Sequence, residues 1–229
     1  MTAAPTPAGR EPGLRERKKA ETRQRISDLA TGMFLDQGFD AVRVADIAAR
    51  AGVSEKTVFN YFPAKESLVF DQADQQLAAA LAAVTERPSG VSPVRAYVEQ
   101  LKAQMTVLIE DDFGHVREIV PRFGEMLEST PTLRAAWGDH RHRMVEAVAH
   151  ALAEDLDVDA LDPEPRTVAR ALVSLTELSY DSVLRHILLA QSGEDLLARV
   201  EADLDRGARL LDTGIWSRHA PGVTSDQAE

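Results

Sequence analysis

Cysteine is absent from the 229 residues, which excludes disulfides, thiolate catalysis and cysteine zinc sites in one step and points to a cytoplasmic setting. The longest unbroken apolar run, Leu77 to Val84, falls far short of the roughly 20 residues a membrane-spanning helix needs, so no membrane partner is expected. The opening MTAAPTPAGREPG lacks a basic start followed by an apolar core, and residues 1–13 are expected to form a disordered arm rather than a secretory signal. No stretch alternates as a strand does, and no segment repeats at a fixed period. The chain also lacks a glycine-rich phosphate loop, a G-x-S-x-G elbow and an H-E-x-x-H pair, and its many carboxylates fall on polar helix faces. Catalytic residues, a cofactor and a metal are accordingly not expected. His142, Glu146 and His150 cannot share one ion, because two helical turns hold the outer pair about 12 Å apart.

What the chain does contain is helical periodicity and a divided charge. With 44% hydrophobic and 28% charged residues it has the composition of a folded globular protein. Its net charge of −11 is uneven: residues 1–70 carry 11 Lys and Arg against 9 Asp and Glu, whereas residues 71–229 carry 15 against 28. Arg10, Arg15, Arg17, Lys18, Lys19, Arg23 and Arg25 concentrate cations at the start of the first helix, an electrostatic footprint suited to a phosphate backbone. That helix buries one stripe, Ile26, Leu29, Ala30, Met33 and Phe34, and Gly38 stops it.

The stretch GFDAVRVADIAARAGVSEKTVFNYFPAKESLVF reads as two short helices crossing at a tight turn, a helix-turn-helix with its motif over about 43–62. Val44, Ile47, Ala48 and Ala51 recur at helical spacing, Gly52 supplies the left-handed closing residue, and Ser54 caps the next helix. On a wheel of that second helix Val58 and Phe62 share a side with Val53, while Lys56, Thr57 and Asn60 face away, flanked by Phe59 and Tyr61. Such a helix fits a major groove. From Pro63 a fourth helix is expected to run to Arg87, with Lys65 in its first turn placed to hold a phosphate together with the backbone N–H groups. Five further helices are expected at 94–110, 115–129, 132–156, 164–191 and 194–212. The fold class is therefore all-α. The 164–191 helix is apolar nearly all round, and Leu197, Val200, Leu204, Gly207 and Leu211 form a seam in steps of three and four that suits a helix pair shared between two copies.

Ile47-Ala48, Ala51-Gly52-Val53-Ser54, Thr57, Tyr61-Phe62-Pro63, Lys65-Glu66 and Leu68 resemble the DNA-binding signature of the tetracycline-repressor (TetR) family. The resemblance implies a three-helix DNA-binding domain over 14–70, a larger helical ligand-binding and dimerisation domain over 71–215, a flexible tail over 216–229 and a two-fold dimer. It implies a regulator, in the first instance a repressor, released from a palindromic double-stranded operator by a small hydrophobic or amphipathic molecule. DNA contacts are then expected from Arg43, Lys56, Thr57, Phe59, Asn60, Tyr61 and Lys65. An effector pocket is expected to be lined by Met105, Phe123, Met126, Trp137 and Tyr180, with His140 as its polar contact. Where relatives often carry a threonine pair, this chain has Val42 and Arg43, so the hydroxyl cap and hydroxyl–phosphate contact are missing and Arg43 is left to replace them by charge. Two alternatives stand beside this reading: a DNA-binding protein of the same type with a structural or partner-recruiting role and no metabolite, and a helical enzyme, which no motif supports.

Overall fold

A computed structural model describes residues 13–110 and 112–212. The described residues form nine α-helices: α1 (Leu14–Gln37), α2 (Val44–Ala51), α3 (Glu55–Tyr61), α4 (Ala73–Thr85), α5 (Pro93–Glu110), α6 (Phe113–Ser129), α7 (Pro131–Leu156), α8 (Pro163–His186) and α9 (Gly193–Leu211), with a 3-10 turn at Glu66–Leu68. None of these helices is long and apolar enough to cross a membrane. The expected tail over 216–229 and all but Gly13 of the expected arm lie outside the described residues. Contacts divide the chain into two units, one ending at Asp71 and the other beginning at Gln72.

In the first unit the apolar stripe of α1 turns inward: Ile26, Ala30, Met33 and Phe34 are buried, and Leu29 is half-buried. They meet Ile47, Ala48 and Ala51 of α2 and Val58 of α3 in one small core closed by Phe39, Val42, Phe62 and Leu68. Gly38 (φ 87°) and Gly52 (φ 68°) adopt the left-handed backbone that ends α1 and α2, a conformation a Cβ makes strained. Across the second of these turns Val53 N–H donates to the Ala48 carbonyl and Gly52 N–H to that of Ala49. Ser54 then caps α3, its hydroxyl accepting from the Thr57 N–H at 3.1 Å.

The expected helix from Pro63 to Arg87 is not continuous. Phe62 is extended (φ −136°), as the residue before a proline prefers. Ser67 ties its hydroxyl to both the N–H and the carbonyl of Ala64, and this local bonding, with i→i+3 backbone bonds at Leu68 and Val69, yields one 3-10 turn in place of a first helical turn. Helix α4 begins only at Ala73.

In the second unit α8 packs against both α7 and α9, α9 also against α5, and α4 against α5 and α7. Sequence-local devices set the helix starts. Asp112, Ser192 and Asp162 cap α6, α9 and α8 through side-chain oxygens, and Pro131 and Pro163 occupy first turns. Two polar pairs are sealed in the packing: the Tyr97 and Thr176 hydroxyls lie 2.9 Å apart, and burial pushes the Tyr97 phenol up to about 12. Asp203 of α9 accepts from the Ser182 hydroxyl (2.8 Å) and His186 Nε2 (3.0 Å) of α8 and pairs with Arg206. Burial pushes that carboxyl up, but these donors outweigh it and hold Asp203 below the usual carboxylate range.

Two expectations change here. Helix α8 ends at His186 rather than continuing to 191, leaving Leu188 and Leu189 about two-thirds exposed on the following turn. The seam of α9 turns in part toward its own chain: Val200 and Leu204 are fully buried, whereas Leu197, Gly207 and Leu211 are half-buried at its border, and Gly207 lies so close to α8 that a Cβ there would meet Leu178 at 2.8 Å and Leu175 at 2.9 Å. A step of three and four marks a covered face without saying which chain covers it, and here the same chain, whose α5 and α8 pack on α9, covers Val200 and Leu204.

Candidate functional site

Helix α3 is seven residues long and held at both ends, by the Gly52 turn with its Ser54 cap and by the Phe62-Pro63 stop. Val58 (0% exposed) and Phe62 (1%) fix its rotation. With those two inside, Lys56, Phe59 and Asn60 are exposed, and Thr57 and Tyr61 are half-buried at the border. The Thr57 hydroxyl lies 2.7 Å from that of Ser54, so it is oriented by the cap. The resulting surface offers an ammonium, an amide, two hydroxyls and an aromatic edge within two turns, donors and acceptors of the kind that read base edges in a major groove.

Three cations near this surface already have partners. Arg43, at the N-cap of α2, forks onto Asp46 through Nε (3.0 Å) and a terminal nitrogen (2.9 Å). Their mutual hydrogen bonds hold Asp46 below and Arg43 above their ordinary values. Arg23 stacks its guanidinium 4.4 Å from the centre of the Phe62 ring and donates to the Asp71 carbonyl at 2.6 Å, while Ser27 donates to the Asp71 carboxylate at 2.7 Å. Lys65 turns inward: its ammonium donates to the Phe39 carbonyl and sits 4.3 Å from the Phe39 ring centre and 5.7 Å from that of Phe34. Burial lowers its pKa, with Asp40 and Glu66 opposing. The helix N-terminus expected beside Lys65 is thus replaced by a 3-10 turn, which Lys65 bolts to the α1–α2 loop. Spacing had no means of showing this, since the partner carbonyl is 26 residues away. Arg15, Arg17, Lys18, Lys19 and Arg25 of α1, with Arg50 of α2, remain exposed.

In the second unit the structure joins three of the six expected effector-lining residues. Trp137 lies 5.6 Å from His140 and 6.1 Å, edge-on, from Tyr180. The Tyr180 hydroxyl accepts from Gln76 Nε2 of α4 at 2.8 Å, a contact no local pattern announces. His140 is 3% exposed and its Nε2 has no hydrogen-bond partner; burial first, then Arg143, lowers its pKa and favours the neutral ring. Met105 belongs instead to the main core, and Phe123 and Met126 lie along α6. Two grooves of about 330 and 380 Å³ open on this unit, one lined by Arg141, His142 and Arg170 among others, the other by Leu178, Gly207 and Leu210; neither is lined by the expected effector residues. On the outer side of α7, Glu146 takes both terminal nitrogens of Arg166 and His150 lies 3.4 Å from Glu154.

A short, capped, outward-facing helix after a glycine turn, followed by an all-helical body, defines a helix-turn-helix DNA-binding regulator. Residues 26–71 match the family model for bacterial regulatory proteins of the tetR family, and residues 112–214 match that for the MftR C-terminal domain. The chain is similar to the HTH-type transcriptional regulator TcmR of Streptomyces glaucescens, 30% identical over 166 residues that cover 71% of this chain and 72% of TcmR. It is also similar to UidR of Escherichia coli K12, 25% identical over 85% of this chain and 92% of UidR. Among solved structures, the SmeT–triclosan complex has a TM-score of 0.53 at 19% identity, covering 91% of this chain and 100% of SmeT. NalD, the secondary repressor of the MexAB-OprM multidrug efflux pump in Pseudomonas aeruginosa, has a TM-score of 0.53 at 22% identity, covering 83% and 96%. The chain belongs to the TetR family of transcriptional regulators. Its relatives are named regulators, and the family is one of DNA-binding proteins rather than enzymes.

The inward lysine and the buried histidine can each be tested by substitution. Lys65→Met keeps the aliphatic stem but removes the ammonium; urea unfolding should show a loss of about 1 kcal/mol from the missing cation–π contact and hydrogen bond. The salt dependence of DNA binding should stay as in wild type, whereas a phosphate contact would lower its slope by about one. For His140 the readout is pH. Because the folded chain holds His140 below its ordinary value of 6.5, it favours the neutral ring; that stability is complete above 6.5 and is lost as pH falls further. His140→Gln should therefore flatten the fall in Tm between neutral pH and about pH 5, and an unchanged slope would refute the assignment.

Proposed function

We propose that this regulator binds a near-palindromic operator as a two-fold dimer and leaves it when a small hydrophobic or amphipathic molecule occupies the second unit. The observation that carries the DNA half is the fixed rotation of α3, which leaves Lys56, Thr57 and Asn60 outward. In this reading those three meet base edges, Phe59 and Tyr61 flank them along the groove wall, and Arg43 approaches the sugar–phosphate backbone from the start of α2. The family's usual dimeric state supports two motifs spaced one helical turn apart, about 34–36 Å. The surface offered to a second copy is the outer face of α8 and α9, where Gly207 and Leu211 of the seam line a groove with Leu178 and Leu210, and Leu184 retains exposed apolar area.

The effector half rests on the aromatic group of Trp137, Tyr180 and His140, with His140 Nε2 as the hydrogen-bonding point. A protein of the same fold, SmeT, is known in complex with triclosan, which supports a small-molecule role for the helical body. The effector acts only through its difference in affinity between DNA-competent and incompetent shapes, and a coupling of about 1–3 kcal/mol gives 5–150-fold release.

Two measurements test the two halves. Genome-wide mapping of bound sites yields the operator; fluorescence titration of that duplex should saturate at two chains per site, and Asn60→Ala should change preference at one or two base pairs by about 1–3 kcal/mol each. A variant with unaltered preference at every position would remove α3 from the readout. Calorimetry of the effector with and without saturating operator should show affinities differing by the same factor that governs release, and equal affinities would rule out the coupling.

A further inference from the structure

The N-terminus of α2 carries an ion pair that has no part in base readout. Arg43 occupies the N-cap with no side-chain cap of its own, and its guanidinium lies flat against the carboxylate of Asp46 three residues on, in a two-point fork of 2.9 and 3.0 Å. The carboxylate also faces the backbone N–H of Arg43. The acid stands in the third helical position, where a capping box places its carboxylate. The two partners therefore differ in freedom. Asp46 is held to its own helix start and complements the positive end of the helix dipole, whereas the Arg43 side chain is 78% exposed and can swing away.

We infer that Asp46 is an internal competitor for the DNA phosphate that Arg43 would otherwise take, and so limits binding to DNA of arbitrary sequence. The inference rests on the reading that the start of α2 faces the DNA backbone. A planar carboxylate satisfies the same fork of a guanidinium as a phosphate does. Engaging a phosphate thus exchanges one ion pair for another rather than adding one. When Arg43 leaves, Asp46 stands as an uncompensated anion beside the polyanion. The departure at Val42-Arg43 gains a physical sense from this: a threonine pair offers hydroxyls with no charge to restrain, whereas an arginine at the same place brings a cation that would attract any phosphate, and the neighbouring acid cancels it until specific contacts by α3 hold the two surfaces together. Among the described residues Arg15, Arg17, Lys18 and Lys19 show no such forked partner, so the restraint applies to one point on the surface rather than to the whole basic face.

The test uses the full chain, a random-sequence duplex and the mapped operator, titrated by fluorescence anisotropy between about 50 and 200 mM salt. Asp46→Asn removes the charge and keeps an acceptor for the Arg43 N–H. It should bind the random duplex about fivefold more tightly at physiological salt, with a log–log salt slope steeper by about one, the change expected for one added phosphate contact. The ratio of operator to random affinity should fall. Asp46→Gln, which places a capping-box residue at the third helical position, should give the same shift if Asp46→Asn folds poorly, and thermal unfolding identifies that case. In Arg43→Gln/Asp46→Asn the extra slope should vanish, because no guanidinium remains to be released. Folded Asp46 variants that bind random DNA no more tightly than wild type would overturn the competition and make Asp46 a residue that positions Arg43. If Arg43→Gln leaves slope and affinity unchanged both in the wild-type chain and in the Asp46→Asn variant, the start of α2 does not face the phosphates, and the underlying reading falls with the inference.

Discussion

Two inward side chains govern the first unit, Val58 on the seven-residue α3 and Phe62 at its C-cap. Val58 and Phe62 are buried to within 1%, and a helix of two turns has no other means of fixing its rotation, because its own hydrogen bonds are too few to hold it. Phe62 is clamped by the Arg23 guanidinium on one side and is made extended by Pro63, so the chain cannot continue as helix past that point. From this follows the outward set of Lys56, Phe59 and Asn60. A change at Phe62 therefore acts on DNA recognition through orientation, although Phe62 touches nothing outside the protein.

The basic residues of the first unit divide into those that hold the fold and those that face outward. Arg23 and Lys65 both rest on aromatic rings and on main-chain carbonyls, Asp71 for one and Phe39 for the other. Each donates to a carbonyl of an irregular segment, where no helix ladder runs to pair it. A guanidinium or ammonium suits that task, since its stem packs as hydrocarbon while its head donates several bonds. The exposed cations lie on α1, at Arg43 and Arg50 at the two ends of α2, and on α3 at Lys56. The small positive balance of residues 1–70 thus overstates what is available to a polyanion, and the acidic remainder of the chain discourages adhesion elsewhere.

How much of this was legible depends on whether the signal was local. The Gly52 turn, the Ser54 cap, the inward pair Val58 and Phe62 and the stripe of α1 are all written within a few residues, and each could be read as a spacing. The break after Pro63 was not, because the apolar period runs on through Leu68 and Leu77 while the competing Ser67–Ala64 bonds depend on one hydroxyl's rotamer. The same holds for α9: Leu197, Val200, Leu204 and Leu211 mark a covered face, but Gly207 gave the better clue, since its missing Cβ lets α9 settle against Leu175 and Leu178 of the same chain. In the candidate effector region Trp137 and His140 share a helical face and so were readable together. Their meeting with Tyr180 and Gln76 spans 104 residues of sequence between the last two, and no period carries that information.

The second unit places most of its buried polar atoms in pairs: Tyr97 with Thr176, Tyr180 with Gln76, Ser182 and His186 with Asp203. Against that background two buried ring nitrogens among the described residues lack a partner, Nδ1 of His186 and Nε2 of His140. They are not equivalent. His186 is tied through its other nitrogen to a carboxylate that also binds Ser182 and Arg206, so its ring is oriented by a network whose gain offsets one unmet nitrogen. His140 stands beside Trp137 and a cation, with burial against its charged form, and an unmet buried polar atom costs about 1–3 kcal/mol. A fold selected for stability alone would place leucine there. For the effector proposed above this nitrogen is the point of greatest gain, because a polar group that meets it among the aromatic rings removes that cost.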